Sequence, residues 1–494
     1  VVWEREVIKI KERRRLVEKG GDPERISRQH ALGKWTVRER IEALADPGSF
    51  REMGGLAGND SYKDGHLAAV MPIGNVLGWC TVKGRKVIVS GTDSTVRLDL
   101  PEEAGEPLNL RRMGLGETAA QQWCVPYVRL LDGPGASVRH YETTGRPEFV
   151  SLNQWIEASS RIMAVVPVVS AVMGPAAGIY AIEACLCHFT VQVKGTGHVF
   201  PGGPPVVKAA LGYEVGKEEL GGWQMASETG VVDRVADSEK DALSLIRDFL
   251  GYLPDNVWEM PPRHDPDDDP HRRDEELLRV MPREDGGRYD PRPILEFVFD
   301  RNSVFEIAPS YGPSRITALA RINGYPLGTV ITNRLSPTHG ALDTAGAEKV
   351  NRFVHLCDTF HLPVVCFVDE PGYATGADGE AEGIIRGAAR LVQAIYQTRV
   401  PWIAFITGEV TGAAGSLAFR PGNPFKRYAW PSAKWHSTRP GRRVVPLNRM
   451  VDVFCVEDVV DPGDTRSLLC DFVEPGQRIL AGQLGPGHGP LYRP

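Results

Sequence analysis

The sequence predicts an α/β protein in which one fold is used twice. Three observations predict it. Four segments recur in the same order, three of them at nearly one offset, short apolar strands alternate with helical stretches, and a polar, proline-rich segment separates the two copies.

The repeat is read in chain order. Asp46-Pro-Gly-Ser-Phe-Arg-Glu52-Met is echoed by Asp300-Arg-Asn-Ser-Val-Phe-Glu306-Ile. Gly78-Trp-Cys-Thr-Val-Lys-Gly84-Arg-Lys-Val-Ile-Val is echoed by Ala320-Arg-Ile-Asn-Gly324-Tyr-Pro-Leu-Gly-Thr-Val-Ile, each a strand, a tight glycine turn and a strand. Val-Pro-Tyr-Val-Arg-Leu-Leu-Asp132-Gly-Pro-Gly135 matches Leu-Pro-Val-Val-Cys-Phe-Val-Asp369-Glu-Pro-Gly372, and Val166-Pro167 through Gly174 matches Val400-Pro401 through Gly408. The offsets are 240 at Gly84/Gly324, 237 at Gly135/Gly372 and 234 at Pro167/Pro401, so the chain is a tandem duplication.

Within a copy the order is strand pair, helix, buried strand, helix, buried strand, then a Gly/Ala-rich turn into another helix. Asn351–Phe360 carries Phe353, Val354, Leu356 and Cys357 at helical spacing ahead of a strand over Leu362–Val368. Ile384–Tyr396 predicts a second helix, leading into a strand over Pro401–Ile406. Continuous apolar strands joined by helices point to a parallel sheet covered on both faces. Pro261–Tyr289 is acidic and proline-rich and reads as a surface linker, which divides the chain into 1–260, a linker over 261–289, and 290–494.

Composition narrows the function classes. A chain of 494 residues with 42% hydrophobic and 24% charged content is long enough for two or three folded domains. A net charge of −6 gives no long-range attraction to nucleic acid, although a local basic cleft for an anionic ligand is compatible with it. No run of eighteen apolar residues marks a membrane span. The eight cysteines form no C-x-x-C pair, and Cys366 sits in Val-Val-Cys-Phe-Val as a buried thiol would, so no metal site and a reducing compartment are expected. The first twenty residues lack a signal-type apolar core, and a start at Val1 reads as a trimmed N-terminus. The expected location is cytoplasmic, with a removed targeting peptide and the mitochondrial matrix left open.

Arg28-Gln-His-Ala-Leu-Gly-Lys-Trp-Thr-Val-Arg-Glu-Arg40 through Phe50 resembles the N-terminal signature of carboxyltransferase β subunits of biotin-dependent acyl-CoA carboxylases, such as the propionyl-CoA and methylcrotonyl-CoA carboxylases. The resemblance continues through Val172-Met-Gly-Pro-Ala-Ala-Gly178, Val193-Lys-Gly-Thr-Gly-His198, Glu219-Leu-Gly-Gly222, His339-Gly-Ala-Leu-Asp343, Asp369-Glu-Pro-Gly372-Tyr, Glu382-Gly-Ile-Ile-Arg386, Ala429-Trp-Pro-Ser-Ala433 and Val459-Val-Asp-Pro462. It covers nearly the whole chain in order. It implies two crotonase-like domains, the first on the acyl-CoA side and the second on the biotin side. It also implies a homo-oligomer, hexameric by resemblance, with the active site between the first half of one subunit and the second half of its neighbour.

The chemistry of such enzymes uses no general-base side chain. The proton α to the thioester carbonyl goes to biotin N1, and the enolate captures the CO2 that carboxybiotin brings. Two oxyanion holes are then needed, and backbone amides at strand-to-helix turns can supply them. By resemblance the thioester hole takes its donors from Gly178 and Ile179, beside Ala177. The biotin hole takes its donors from Ala413 and Ala414, after Gly412. Close packing of helix on strand is the alternative at both turns. Ser416 matches a position tied to acyl-chain preference, or is a capping hydroxyl. Gly135 and Ala136 resemble a turn beside CoA, or form a plain turn. Gly372 and Tyr373 fall on the biotin side, where Tyr373 would wall the pocket or stand idle on a loop. Lys194, His198, Lys208 and Arg386 would meet CoA phosphates or make structural pairs.

Several departures bear on activity. Ile179 stands where a second glycine is usual, Ala413 replaces another, and a histidine expected after Gly222 is absent. About forty helical residues are missing between Trp430 and Asp461 by this comparison. The basic stretch His436-Ser-Thr-Arg-Pro-Gly-Arg-Arg443 stands in their place. No Ala-Met-Lys-Met-type biotinylation motif occurs, so biotin would arrive on another subunit, the partner being a biotin carboxylase or biotin carrier protein. A biotin-independent acyl-CoA decarboxylase and a non-catalytic scaffold subunit remain open beside the carboxyltransferase.

Overall fold

The structure is a computed structural model, and it describes residues 2–96, 114–133, 153–266, 268–284, 286–416, 424–436 and 444–487. The chain divides into two compact units, Val1–Leu250 and Gly251–Pro494.

The first unit is built on an eight-stranded sheet. Its path runs β1 (Arg51–Glu52), β4 (Asn75–Val82), β5 (Arg85–Thr92), β6 (Tyr127–Gly133), β7 (Val168–Ala177), β8 (Phe189–Val193) and β10 (Arg234–Ala236), with β9 (His198–Phe200) paired to the far end of β7. β2 (Gly58–Lys63) and β3 (His66–Pro72) form a separate two-stranded sheet. β1, β4 and β5 are antiparallel, and every later pairing in the main sheet is parallel. All seven residues of β6 and nine of the ten in β7 are buried, as a sheet covered on both faces requires.

The second unit repeats this plan. Its path runs β11 (Phe305–Ile307), β12 (Arg315–Ile322), β13 (Tyr325–Thr332), β14 (Val364–Glu370), β15 (Trp402–Thr411), β16 (Phe425–Ala429) and β19 (Asp458–Val459). β17 (Lys434–His436) pairs with the far end of β15 and with β18 (Val444–Val445). The core packs Ile316, Ile331, Phe367, Phe405 and Trp430 against Ile294, Phe299, Leu469 and Val473, and the Phe367 and Phe405 rings stack at 5.6 Å.

The repeated sequence segments are repeated structural devices. Asp46 accepts from the Lys83 and Gly84 amides at 3.0 and 2.8 Å, and so fastens the β4–β5 turn. Asp300 does the same for Asn323 and Gly324 at 3.1 and 2.8 Å. Both turns place their two residues at positive φ, 50° and 78° in one and 48° and 77° in the other, which a tight hairpin demands. Ser49 and Ser303 accept from the Thr81 and Arg321 amides, each at 3.1 Å. Arg38–Glu52 and Arg292–Glu306 are equivalent ion pairs at 2.9 and 3.0 Å.

Two expectations are corrected. The residues from 261 to 289 are part of the second unit rather than a free linker. Leu277 is 2% exposed in its core, Arg272 donates to the Phe299 carbonyl at 2.9 Å, and the buried Arg466 donates to Asp269 O at 2.8 Å and to Asp300 at 2.7 Å. Proline and acidic content marked a segment with little regular structure, the short helix Leu277–Val280, not a lack of packing. Element bounds also move: the helix expected from Asn351 begins at Thr344, where Asp343 caps it by accepting from Gly346 N at 2.7 Å, and β15 runs on to Thr411.

Candidate active site

In the first unit β7 ends at Gly178, whose φ of +60° bends the chain into the helix Ile179–Cys185. That conformation is costly for a residue with a side chain, which is why a glycine closes the run Gly-Pro-Ala-Ala-Gly. The Gly178 amide donates to Phe200 O at 3.3 Å, a long contact that ties the turn to β9. The first four-residue helical bond is Ile182 N to Gly178 O at 3.2 Å, so the Ile179 and Tyr180 amides precede the helical ladder as donors. A Cβ added to Gly178 would find only Pro201 O, at 3.7 Å, so the turn has open space beside it. Ala177, 5% exposed, pairs with Phe200 and lies under the turn.

The helix is held from its other end. Arg129, wholly buried, donates to the Leu186 and Glu183 carbonyls at 2.7 and 3.3 Å, to Glu117 at 2.9 Å and to Ser159 Oγ at 3.0 Å. Burial opposes its charge, but Glu117 and Glu183 raise its pKa above the ordinary value, so a fixed cation sits at the helix C-terminus.

Beside the turn, Gly174 leans on Asp132: a Cβ there would lie 1.8 Å from Asp132 Oδ1. Asp132 receives Lys34 at 2.6 Å, Gln29 at 2.9 Å and Arg40 at 3.1 Å, and Arg40 also grips Glu239. The conspicuous stretch from Arg28 to Arg40 therefore converges on one carboxylate. Burial would raise the Asp132 pKa, but Arg40 and Lys34 hold it below the usual range.

The second unit has the same turn. Gly412 has φ +58° at the end of β15 and opens the helix Gly412–Ser416. Gly178 and Gly412 are 234 residues apart, the spacing of the flanking repeat. By this count Ala413 is the counterpart of Ile179, and Ala414, 3% exposed, that of Tyr180. The two expected donor pairs are thus one residue out of step with each other. Asp369 plays the Asp132 role: it accepts from Glu409 N at 2.7 Å and Tyr289 OH at 3.0 Å, lies 3.4 Å from Arg334, and a Cβ on Gly408 would come within 2.3 Å of it.

Around this turn the second unit differs in polarity from the first. Glu370 and Arg315, 4% and 6% exposed, form a buried ion pair at a cavity of about 60 Å³ that Leu342, Cys366, Leu391, Trp402 and Ala414 also line. At the sheet end, Arg334 stands 3.6 Å and His436 3.8 Å from Glu409. Arg334 Nη1, Thr411 Oγ1 and both His436 ring nitrogens are buried without a hydrogen-bond partner among the described residues. These residues were missed in the sequence. Comparing the halves position by position would have flagged Glu370, which stands where the first copy has Gly133.

Of the residues expected to meet CoA phosphates or make structural pairs, three make side-chain pairs. Lys194 pairs with Asp237 at 2.5 Å, His198 with Glu218 at 2.9 Å and Lys208 with Glu214 at 2.6 Å, while Arg386 is exposed. Tyr373 is half-buried and bridges to Leu342 through its backbone, and Gly372 leaves open space where a Cβ would go. Gly135, Ala136 and the Ser416 side chain lie outside the described residues. No group of three or more potential metal ligands occurs among the described residues, and no helix there is long and apolar enough to cross a membrane.

Comparison with known proteins follows this geometry. The family model for the carboxyl transferase domain matches residues 28–436. The carboxyltransferase subunit of propionyl-CoA carboxylase from Haloferax mediterranei is 32% identical, over 95% of each chain. Methylmalonyl-CoA decarboxylase subunit alpha from Veillonella parvula is 32% identical, over 85% of this chain and 81% of its own. Among solved structures, the transcarboxylase 12S hexamer with hydrolysed methylmalonyl-CoA bound is similar with a TM-score of 0.85 and 28% identity, covering 99% of this chain and 98% of that one.

Proposed function

Because this chain belongs to the carboxyl transferase domain family and has its crotonase-like α/β fold, we propose that it transfers CO2 from carboxybiotin to a carbon α to, or vinylogous with, the carbonyl of an acyl-CoA. The observation that carries the reading is the pair of glycine turns at Gly178 and Gly412, each presenting helix-start amides beside small residues.

In the first unit the enolate oxygen of the thioester is assigned to the Ile179 and Gly178 amides, and Ala177, Gly135 and Ala136 are assigned to the CoA side. Gly178 would have to exchange its long contact with Phe200 O for the ligand, which leaves Ile179 as the readier donor. In the second unit the Ala413 and Ala414 amides, with Gly412, Gly372 and Tyr373, are assigned to the ureido group of biotin, and Ser416 to the acyl side. No side chain larger than a methyl occupies 412–415, and Ala413 is exposed, so main-chain donors fit a neutral ureido oxygen. Biotin supplies the carboxyl carrier and the proton acceptor. The chain's own amides hold developing charge on the substrate oxygen, and the buried cations Arg129 and Arg40 keep the first turn and its underlying carboxylate in place.

With no biotinylation motif in the chain, the biotin is assigned to a separate carrier or biotin carboxylase subunit. A homohexamer in the cytoplasm, or in a mitochondrial matrix, completes the proposal, and light scattering of the purified protein would give the mass of six chains. A second reading, decarboxylation of a malonyl-type CoA thioester, draws support from the likeness to a decarboxylase subunit and would use the same first turn.

The deciding experiment supplies the protein with a carboxybiotin source and short, branched and long acyl-CoAs, following malonyl-type products by mass spectrometry. Product with any thioester is expected and names the substrate class. Saturable thioester binding with no product, and CO2 release from a malonyl-type thioester instead, would overturn the transfer in favour of decarboxylation.

A further inference from the structure

The second unit contains a closed ring of hydrogen bonds with no counterpart among the first unit's described residues. Arg315, at the start of β12, donates through Nη1 to Gly340 O at 2.9 Å and through Nη2 to Glu370. Glu370 accepts from Gly372 N at 3.1 Å. Gly372 O accepts from Leu342 N, and Leu342 O from Ala374 N, each at 2.9 Å. Three segments far apart in sequence are joined: the strand start at 315, the stretch 340–342 and the turn 370–374. The outward side of Gly372, at φ +126°, is open. At the matching sheet positions the first unit has Asn75 and Gly133.

An ion pair buried this deeply is a poor source of stability, because desolvation offsets most of the attraction and an apolar pair of similar size often does as well. What the pair supplies is direction, since it aims a backbone amide and a carbonyl on two loops. We propose that Arg315 and Glu370 are positioning residues that hold the Gly372–Tyr373 turn in the shape the second-unit site requires. The proposal rests on the reading of that turn as the biotin side.

Protonation enters through geometry. Glu370 uses one oxygen for Arg315 and the other for Gly372, so loss of its charge weakens both bonds at once. The groups facing it are few. Arg315 comes from β12, and Asp369 and Cys366 come from β14, with Tyr373 just beyond it. Val350, Leu391, Ile395, Trp402 and Ala414 close the cavity from the neighbouring elements without a titrating group. Lys349 donates to the Arg315 and Tyr311 carbonyls at 2.8 and 2.9 Å on that side. Burial raises the Glu370 carboxyl to about 7 while Arg315 and the Gly372 amide pull against it, so the two bonds become charge-assisted as pH rises through neutrality even though burying that charge lowers overall stability.

The test is carboxyl transfer from a malonyl-type CoA thioester to free biocytin, by the full-length wild type and E370Q, from about pH 6 to about pH 8.5. Loss of a charge-assisted bond predicts that E370Q raises the KM for biocytin roughly tenfold at high pH and leaves the KM for the thioester within about twofold. The wild-type kcat/KM for biocytin should step up through pH 7, and E370Q should be flat. A biocytin KM and pH profile unchanged in E370Q would overturn the positioning role while leaving the biotin-side reading intact. No transfer to biocytin by the wild type would remove the reading and the proposal together. Should E370Q fold poorly, hydrogen exchange on the wild type decides: protection of the Leu342, Gly372 and Ala374 amides, relative to amides that open only with global unfolding, must rise through pH 7, and a ratio independent of pH would sink the proposal.

Discussion

Gly174 and Gly178 stand four residues apart, and the structure gives them different reasons for being glycine. At Gly174 the obstacle is space, because a Cβ would sit 1.8 Å from Asp132 Oδ1 and 2.8 Å from Lys34 Nζ. Gly174→Ala should therefore cost about 3 kcal/mol or more in urea unfolding, with Gly408→Ala following for the same reason at Asp369. At Gly178 the obstacle is only the positive φ, so Gly178→Ala should cost about 1 to 2 kcal/mol. A bulky residue there should lower the transfer rate further than stability, since the space it enters is assigned to ligand; equal losses in rate and melting temperature would mark the turn as packing alone. Gly178 was legible in the sequence as a turn position. The reason for Gly174 was not, because it depends on a carboxylate 42 positions earlier whose own partners begin at Gln29.

The helix Val37–Leu44 shows how local signals serve a distant site. Thr36 and Glu39 form a capping box, with Thr36 N donating to Glu39 at 2.7 Å and Glu39 N donating to Thr36 Oγ1 at 3.3 Å. The helix carries Arg40 to Asp132 and Glu239. Thr36→Ala should lower stability by about 1 kcal/mol, measured by chemical denaturation. Element types were readable because apolar spacing distinguishes strand from helix. Bounds were less so: β15 extends past Ile406 because Glu409 and Thr411 pair with β17, a strand whose sequence, Lys434-Trp-His436, has too few residues to show a period. The 261–289 segment misled because composition reports on the amount of regular structure, whereas Leu277 reaches the core from a helix of only four residues, Leu277–Val280, and Arg272 reaches the Phe299 carbonyl from irregular backbone.

At the scale of the molecule, duplication made the fold legible, since two noisy copies of one pattern support each other. It concealed the second-unit site for the same reason: Arg315 and Glu370 are departures from the repeat, 55 residues apart, and only the fold brings them together. Glu370 and Asp132 have pH consequences of opposite sign. Glu370 has a folded value of about 7 against an ordinary 4.5, so between those values the folded state keeps a proton that the unfolded chain has lost. Stability should fall as pH rises through that window and level off above it, and E370Q should remove the slope. Asp132 is lowered instead, so its contribution is present above the ordinary 3.8 and lost as pH falls through its depressed folded value. Asp132→Asn should weaken the acid dependence and cost about 3 to 5 kcal/mol at neutral pH by leaving Arg40 and Lys34 uncompensated. Unfolding free energies of the three proteins across acid to neutral pH check both signs.

The contact between Gly174 and Asp132 also constrains how the chain can change over generations. A larger residue at 174 is admissible only if 132 shrinks, and 132 can shrink only if Lys34 and Arg40 lose their charge or find another partner. No single substitution among the four leads to an equally stable neighbour. A lineage must cross a valley or keep all four, whereas the exposed Ala413 has no such lock and is open to one-step variation.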